Sequence, residues 1–143
     1  MQILDHLKPL GLLVLRLGIA VVFLASGYAK LFGAPATWLK WFPQHDFPSY
    51  FAYLAGSLEF FGAILLILGL MTRLVALLLA VQMAIAVVKV SLPHAGIYNV
   101  DGYGLPFVLG VSCFALATVG AGLLSVDAAT FENKGKVRTK AAR

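Results

Sequence analysis

A chain of 143 residues that is 61% hydrophobic and only 12% charged would leave large apolar surfaces in water if it folded as an ordinary soluble domain. Its net charge of +5 gathers at one end, where Lys134, Lys136, Arg138, Lys140 and Arg143 lie; beside a membrane helix, such bases mark the cytoplasmic side rather than a nucleic-acid arm. The length leaves room for one domain, residues 1–128, followed by a basic cytoplasmic tail, residues 129–143.

Four apolar stretches, approximately 10–32, 50–71, 74–92 and 105–125, dominate the chain. About 20 apolar residues cross the ~30 Å hydrocarbon core, so each stretch is long enough for a membrane helix. The expected fold class is all-α, an integral membrane four-helix bundle contacting the lipid bilayer. The first stretch carries Arg16 inside its apolar run and has a poor cleavage signal, which argues against a removed signal peptide. Lys8, Arg73 and the five tail bases fall on one side, and Lys30, Lys40 and Lys89 on the other. That asymmetry favours both termini inside, with the 33–48 and 93–104 loops outside.

Gly33-Ala34-Pro35 ends the first span, and Pro43 and Pro48 prevent one continuous helix through the next segment. Trp38, Trp41, Phe42, Phe47, Tyr50 and Phe51 crowd that loop; they suit either an interfacial aromatic belt or a lid over the bundle mouth. Thr72-Arg73 is expected to join the second and third spans as a tight hairpin. Small residues recur every fourth position at Ala25, Ala29 and Gly33, at Ala76, Ala80 and Ala84, and at Cys113, Ala117, Ala121 and Ser125. Such ladders permit close helix packing, within one bundle or in a homo-oligomer.

Charges inside membrane spans are costly and usually face protein or water. Arg16 and Lys30 lie 14 residues apart and share an azimuth with Phe23 and Gly27. Glu59 is ringed at helical spacing by Ala52, Ala55, Gly56, Gly62 and Ala63. Gln82 and Lys89 share a face of the third span, so polar stripes from three helices are expected to converge. Rise per residue places Glu59 roughly 8 Å in depth from Arg16 and nearer the level of Lys89, which makes those two its expected ion-pair partners. The stripe suits either a structural clasp or a pocket for a ligand or proton, with Arg16, Lys30, Glu59, Gln82 and Lys89 as candidates. Tyr28, Trp38, His94, Asp101 and Tyr103 are candidates for the outer mouth.

The segments LRLGIAVVFLASGYAKLFG, LEFFGAILLILGLMTRLVALLLA and VGAGLLSVDA together resemble the DoxX family of small four-span membrane proteins. Arg16, Gly18, Phe23, Gly27 and Lys30 carry the resemblance in the first span, and Glu59, Gly62, Gly69, Leu70, Thr72 and Arg73 in the second and its turn. Gly120, Gly122, Ser125 and Asp127 carry it at the end. The resemblance implies a four-helix bundle linked to oxidoreductase systems, including thiosulfate–quinone chemistry and complexes with soluble partners. Family members often place a Glu before a Leu-Pro-like turn at the outer start of the last helix. Here that region reads Tyr103-Gly104-Leu105-Pro106, with Asp101 as the nearby substitute.

Cys113 is the only cysteine, so one chain cannot run a disulfide relay. His6, His45 and His94 are scattered without ligand spacing, which argues against haem or tetrahedral zinc. No phosphate-binding or dinucleotide glycine motif is present. An electron carrier would have to be diffusible, bound or on another subunit, and no covalent cofactor is expected. Three readings stay open: a membrane subunit of an oxidoreductase system binding a quinone-like amphiphile, not a self-sufficient enzyme and partnered by a soluble redox protein; a non-catalytic anchor or assembly factor; and a small-solute or proton transporter. The expected location is the bacterial cytoplasmic membrane.

Overall fold

The computed structural model describes residues 2–95, 100–120 and 122, with side chains for residues 7–93, 100–120 and 122. The His94 side chain, Ala121, Ser125, Asp127 and the basic tail lie outside the described residues. All regular structure among the described residues is helical. Helix α1 spans Gln2–Tyr28 and continues as a π-helical turn, Ala29–Gly33; α2 spans Pro35–Trp41 and is followed by a 3-10 turn at Pro43–His45. Then come α3 (Phe51–Leu68), α4 (Thr72–Ile85) with a second π-helical segment at Ala86–Ser91, α5 (Leu92–Ala95) and α6 (Val100–Val119). Four helical segments, Leu7–Gly33, Phe51–Leu68, Thr72–Ser91 and Val100–Val119, are long and apolar enough to cross a membrane.

Their bounds differ from the hydropathy reading for physical reasons. Backbone hydrogen bonding carries α1 back to Gln2, past Pro9, although hydropathy marks only the part suited to lipid. The second span stops at Leu68 because Gly69 turns left-handed, with φ 71°. Its N–H bonds to Leu66 O at 3.2 Å and that of Leu70 to Leu65 O at 2.9 Å, a Schellman motif. Met71 is also left-handed, with φ 49°. The hairpin turn is therefore Gly69–Met71, and the expected linker Thr72-Arg73 is instead the first turn of α4. Helix α6 begins at Val100, five residues before the expected 105, and holds Pro106 inside it.

Helix α1 packs along α3, α4 along α6, and α3 against α4, with a smaller contact between α1 and α6. Ile19, Phe23, Leu66, Leu79 and Leu116 form part of the shared buried core. Within lipid this core is held by dispersion contacts and close fit, because acyl chains solvate apolar side chains as well as protein does. Glycines set the closest approach. A Cβ on Gly27 would lie 2.5 Å from Phe60 N and 2.9 Å from Gly56 O, so the α1 and α3 backbones nearly touch. Gly62 admits Val75 of α4, and Gly110 admits the Met83 Cβ.

The small-residue ladders are used unequally. Ala76, Ala80 and Cys113 are buried, but Ala25 and Gly33 are exposed. The α1 seam runs instead through Ala20, Phe23 and Gly27, all buried, because that azimuth faces α3. At one end of the helices Arg73 Nη2 reaches the Val119 carbonyl at 3.5 Å, a placement that suits the negative end of α6. At the other end α2 contacts the first π turn, the 3-10 turn and α3.

Candidate functional site

The first π turn positions the central cation. A π turn widens the backbone spiral, and Lys30, its second residue, points inward and is 9% exposed. Its Nζ donates to Ser26 Oγ at 2.7 Å and to Glu59 Oε2 at 2.5 Å. Glu59 sits on α3 and is only 2% exposed. The neighbouring Gly56 leaves room for the lysine stem: a Cβ there would be 3.0 Å from Lys30 Cβ. From α4, Gln82 Nε2 donates to Glu59 Oε1 at 2.6 Å. Three helices thus meet on one carboxylate, and both its oxygens accept charge-assisted or amide hydrogen bonds.

The pair is formally neutral, which limits the cost of placing it in a low-dielectric interior. Trp38 of α2 covers it, with the Lys30 ammonium 5.1 Å from the ring centroid, inside the range of a cation–π contact. Behind Trp38 the aromatic side chains interlock. Trp38 meets Trp41 edge to face at 5.6 Å, Trp41 stacks on His45 at 3.9 Å, and Phe42, Phe47 and Phe51 continue the chain of rings. His45 Nδ1 lies 2.9 Å from Trp41 O, which fixes the stacked ring.

One polar atom in the cluster stands apart. Gln82 Oε1 is buried and accepts no hydrogen bond among the described residues. The amide nitrogen is the end that donates to Glu59, which leaves the oxygen as the end turned away. A buried acceptor left without a donor is uncommon in folded proteins and calls for a water or ligand that donates to it.

The remaining candidates take different places. Arg16 is buried, 2% exposed, on the face it was expected to share with Lys30, Phe23 and Gly27, yet about 20 Å away along the helix axis. Lys89 is exposed on the second π segment. Neither is the hydrogen-bonded partner expected for Glu59; Lys30 takes that role, because helix α1 meets α3 at the level of Gly27 and Gly56. Tyr28 is exposed and tilts against Phe32 at 5.5 Å. With Val21, Leu24, Ala25, Phe60 and Ile64 it lines an apolar groove of about 550 Å³ on the outside of the α1–α3 seam. Asp101 is exposed in the first turn of α6, and half-buried Tyr103 packs edge to face on Phe107 at 6.4 Å. Cys113 is buried in the core as a free thiol. Ser26 was not singled out from sequence, although its position four residues before Lys30 on one helix was the available signal.

The DoxX family profile matches residues 11–92. The chain belongs to the DoxX family. That match contains Arg16, Lys30, Glu59, Gln82 and Lys89, whereas Asp101 and Tyr103 lie beyond it. The chain is 31% identical over 127 residues to "Putative oxidoreductase CatD" of Bacillus subtilis (strain 168), covering 87% of this chain and 90% of that protein. It is also 33% identical over 129 residues to an uncharacterized protein of Haemophilus influenzae, covering 82% and 81% of the two chains. No solved structure matches it significantly. DoxX membership and four helices of membrane-spanning length and composition make this an integral membrane protein in contact with the bilayer.

Proposed function

We propose that this DoxX-family protein is a membrane subunit of an oxidoreductase system, and that Lys30, Glu59 and Gln82 hold the polar head of a quinone-like amphiphile. The observation that carries the reading is the buried Glu59 carboxylate, bonded by Lys30 and Gln82 from two other helices beneath Trp38. A quinone site needs apolar walls and a few fixed polar groups, and this cluster supplies those groups. The name of the Bacillus relative, "Putative oxidoreductase CatD", adds support for the redox setting.

In this reading the four long helices form one bundle in the bacterial cytoplasmic membrane, with both termini cytoplasmic. Lys8, Arg73 and the tail bases then lie inside, and Lys30, Trp38 and Lys40 toward the outside. The bound quinone supplies the electron chemistry. Lys30 and Glu59 orient the head group and hold a proton at the carboxylate or ammonium, while Trp38 keeps water from the pair. A soluble partner protein supplies or removes the electrons.

The same geometry would serve a non-catalytic anchor if Lys30 and Glu59 were only a clasp between α1 and α3. Mass spectrometry of small molecules that co-purify in mild detergent separates the two. A stoichiometric aromatic amphiphile in the wild type, lost in a folded Glu59→Gln variant, is the expected result. Bulk lipid alone in both samples would remove the ligand reading and leave the clasp.

A further inference from the structure

We infer that Gln82 makes this site selective for redox state, favouring a hydroxyl-bearing reduced head group, a quinol or related phenol, over the oxidised quinone. The inference rests on the ligand reading given above and adds a direction to it. Within the cluster Lys30 Nζ donates to Ser26 and Glu59, Gln82 Nε2 donates to Glu59, and each Glu59 oxygen accepts one of these bonds. The one buried polar atom of these three side chains that makes no hydrogen bond among the described residues is Gln82 Oε1, an acceptor. Its partner must therefore bring a hydrogen.

The orientation of the amide cannot easily reverse. Turning it would set Oε1 against the Glu59 carboxylate, oxygen to oxygen, and discard the 2.6 Å bond. Lys30 Nζ occupies the other carboxylate oxygen at 2.5 Å, so Gln82 reaches Glu59 at Oε1, where its amide nitrogen is the end that can donate. A quinol hydroxyl can donate to Gln82 Oε1. A quinone carbonyl has only lone pairs, and would leave the buried acceptor unmatched while facing it with like charge. Gln82 is thus a specificity-determining residue, presented by α4 to a carboxylate fixed on α3.

The test uses the full-length protein in mild detergent, titrated anaerobically by calorimetry. The probes are a decyl-substituted benzoquinol, the matching benzoquinone, and the quinol dimethyl ether, which keeps the ring and chain but has no donor. The quinol should bind roughly tenfold or more tightly than either of the others. Gln82→Met, checked for a monodisperse elution profile, should bring the three affinities close together. The ether comparison is made on wild-type protein, so it stands even if that variant fails to fold. Equal binding of quinol, quinone and ether would overturn the redox selectivity while leaving a ligand site in place. Binding of none of them would overturn the ligand reading itself.

Discussion

Lys30 and Glu59 are 29 residues apart in the chain, yet the ammonium and carboxylate meet at 2.5 Å in the interior, where helix α1 crosses α3. A buried pair of this kind is asymmetric in its energetics: losing one partner costs far more than losing both, because the survivor is left as an unmatched charge. Lys30→Met should therefore lower unfolding stability by about 3–5 kcal/mol. The double variant Lys30→Met/Glu59→Gln should recover most of that loss. Thermal unfolding in detergent reads both, and equal losses in the single and double variants would contradict a coupled pair.

The close seam between α1 and α3 gives a second expectation. Gly27→Ala places a methyl 2.5 Å from the Phe60 backbone nitrogen, where no rotamer change relieves the contact. It should cost about 1–3 kcal/mol and also loosen the Lys30–Glu59 contact one turn away. Gly18→Ala is the matched control, since nothing lies within 4 Å of its Cβ position. That change should be neutral or raise stability by roughly 0.5–1 kcal/mol through helix propensity. Similar melting temperatures for the two variants would argue against glycine-mediated contact.

Much of this arrangement could be read from sequence. The four apolar stretches located the long helices, and the small residues around Glu59 marked a place of close approach; Ala52, Gly56, Gly62 and Ala63 are all buried there. Arg16 and Lys30 are both buried, as charges inside a span are expected to be. Counting rise per residue could not identify the partner of Glu59, because the level at which two helices cross depends on contacts such as Gly27 with Gly56. Nor does hydropathy reveal a π turn, which gives Lys30 its aim. The ladder at Ala25, Ala29 and Gly33 misled because spacing alone does not say which face meets a neighbour.

Trp38 should govern access to the lysine. In Trp38→Ala, Lys30 loses the ring 5.1 Å from its ammonium and should react several-fold faster with a water-soluble amine reagent. Exposed Lys40 provides the internal reference for labelling, scored by peptide mass spectrometry. An unchanged ratio of the two lysines would show that Trp38 does not shield the pair.

The orientation of the spans is accessible through the single native cysteine. In a Cys113→Ala background, a cysteine replacing Lys40 should label with a membrane-impermeant maleimide on intact spheroplasts. A cysteine replacing Arg73, at the opposite end of α3 and α4, should label only after permeabilisation. The reverse pattern would place the termini outside.

The central claim is that a ligand engages the Glu59 carboxylate, and infrared difference spectroscopy observes that group directly. Spectra of the detergent-purified protein would be recorded before and after adding the decyl-substituted benzoquinol, for wild type and Glu59→Gln. The expected result is a carboxylate band that shifts on addition and is absent from the difference spectrum of the variant. Identical difference spectra for the two proteins would contradict a ligand at Glu59 and reduce the Lys30–Glu59–Gln82 cluster to a clasp between helices.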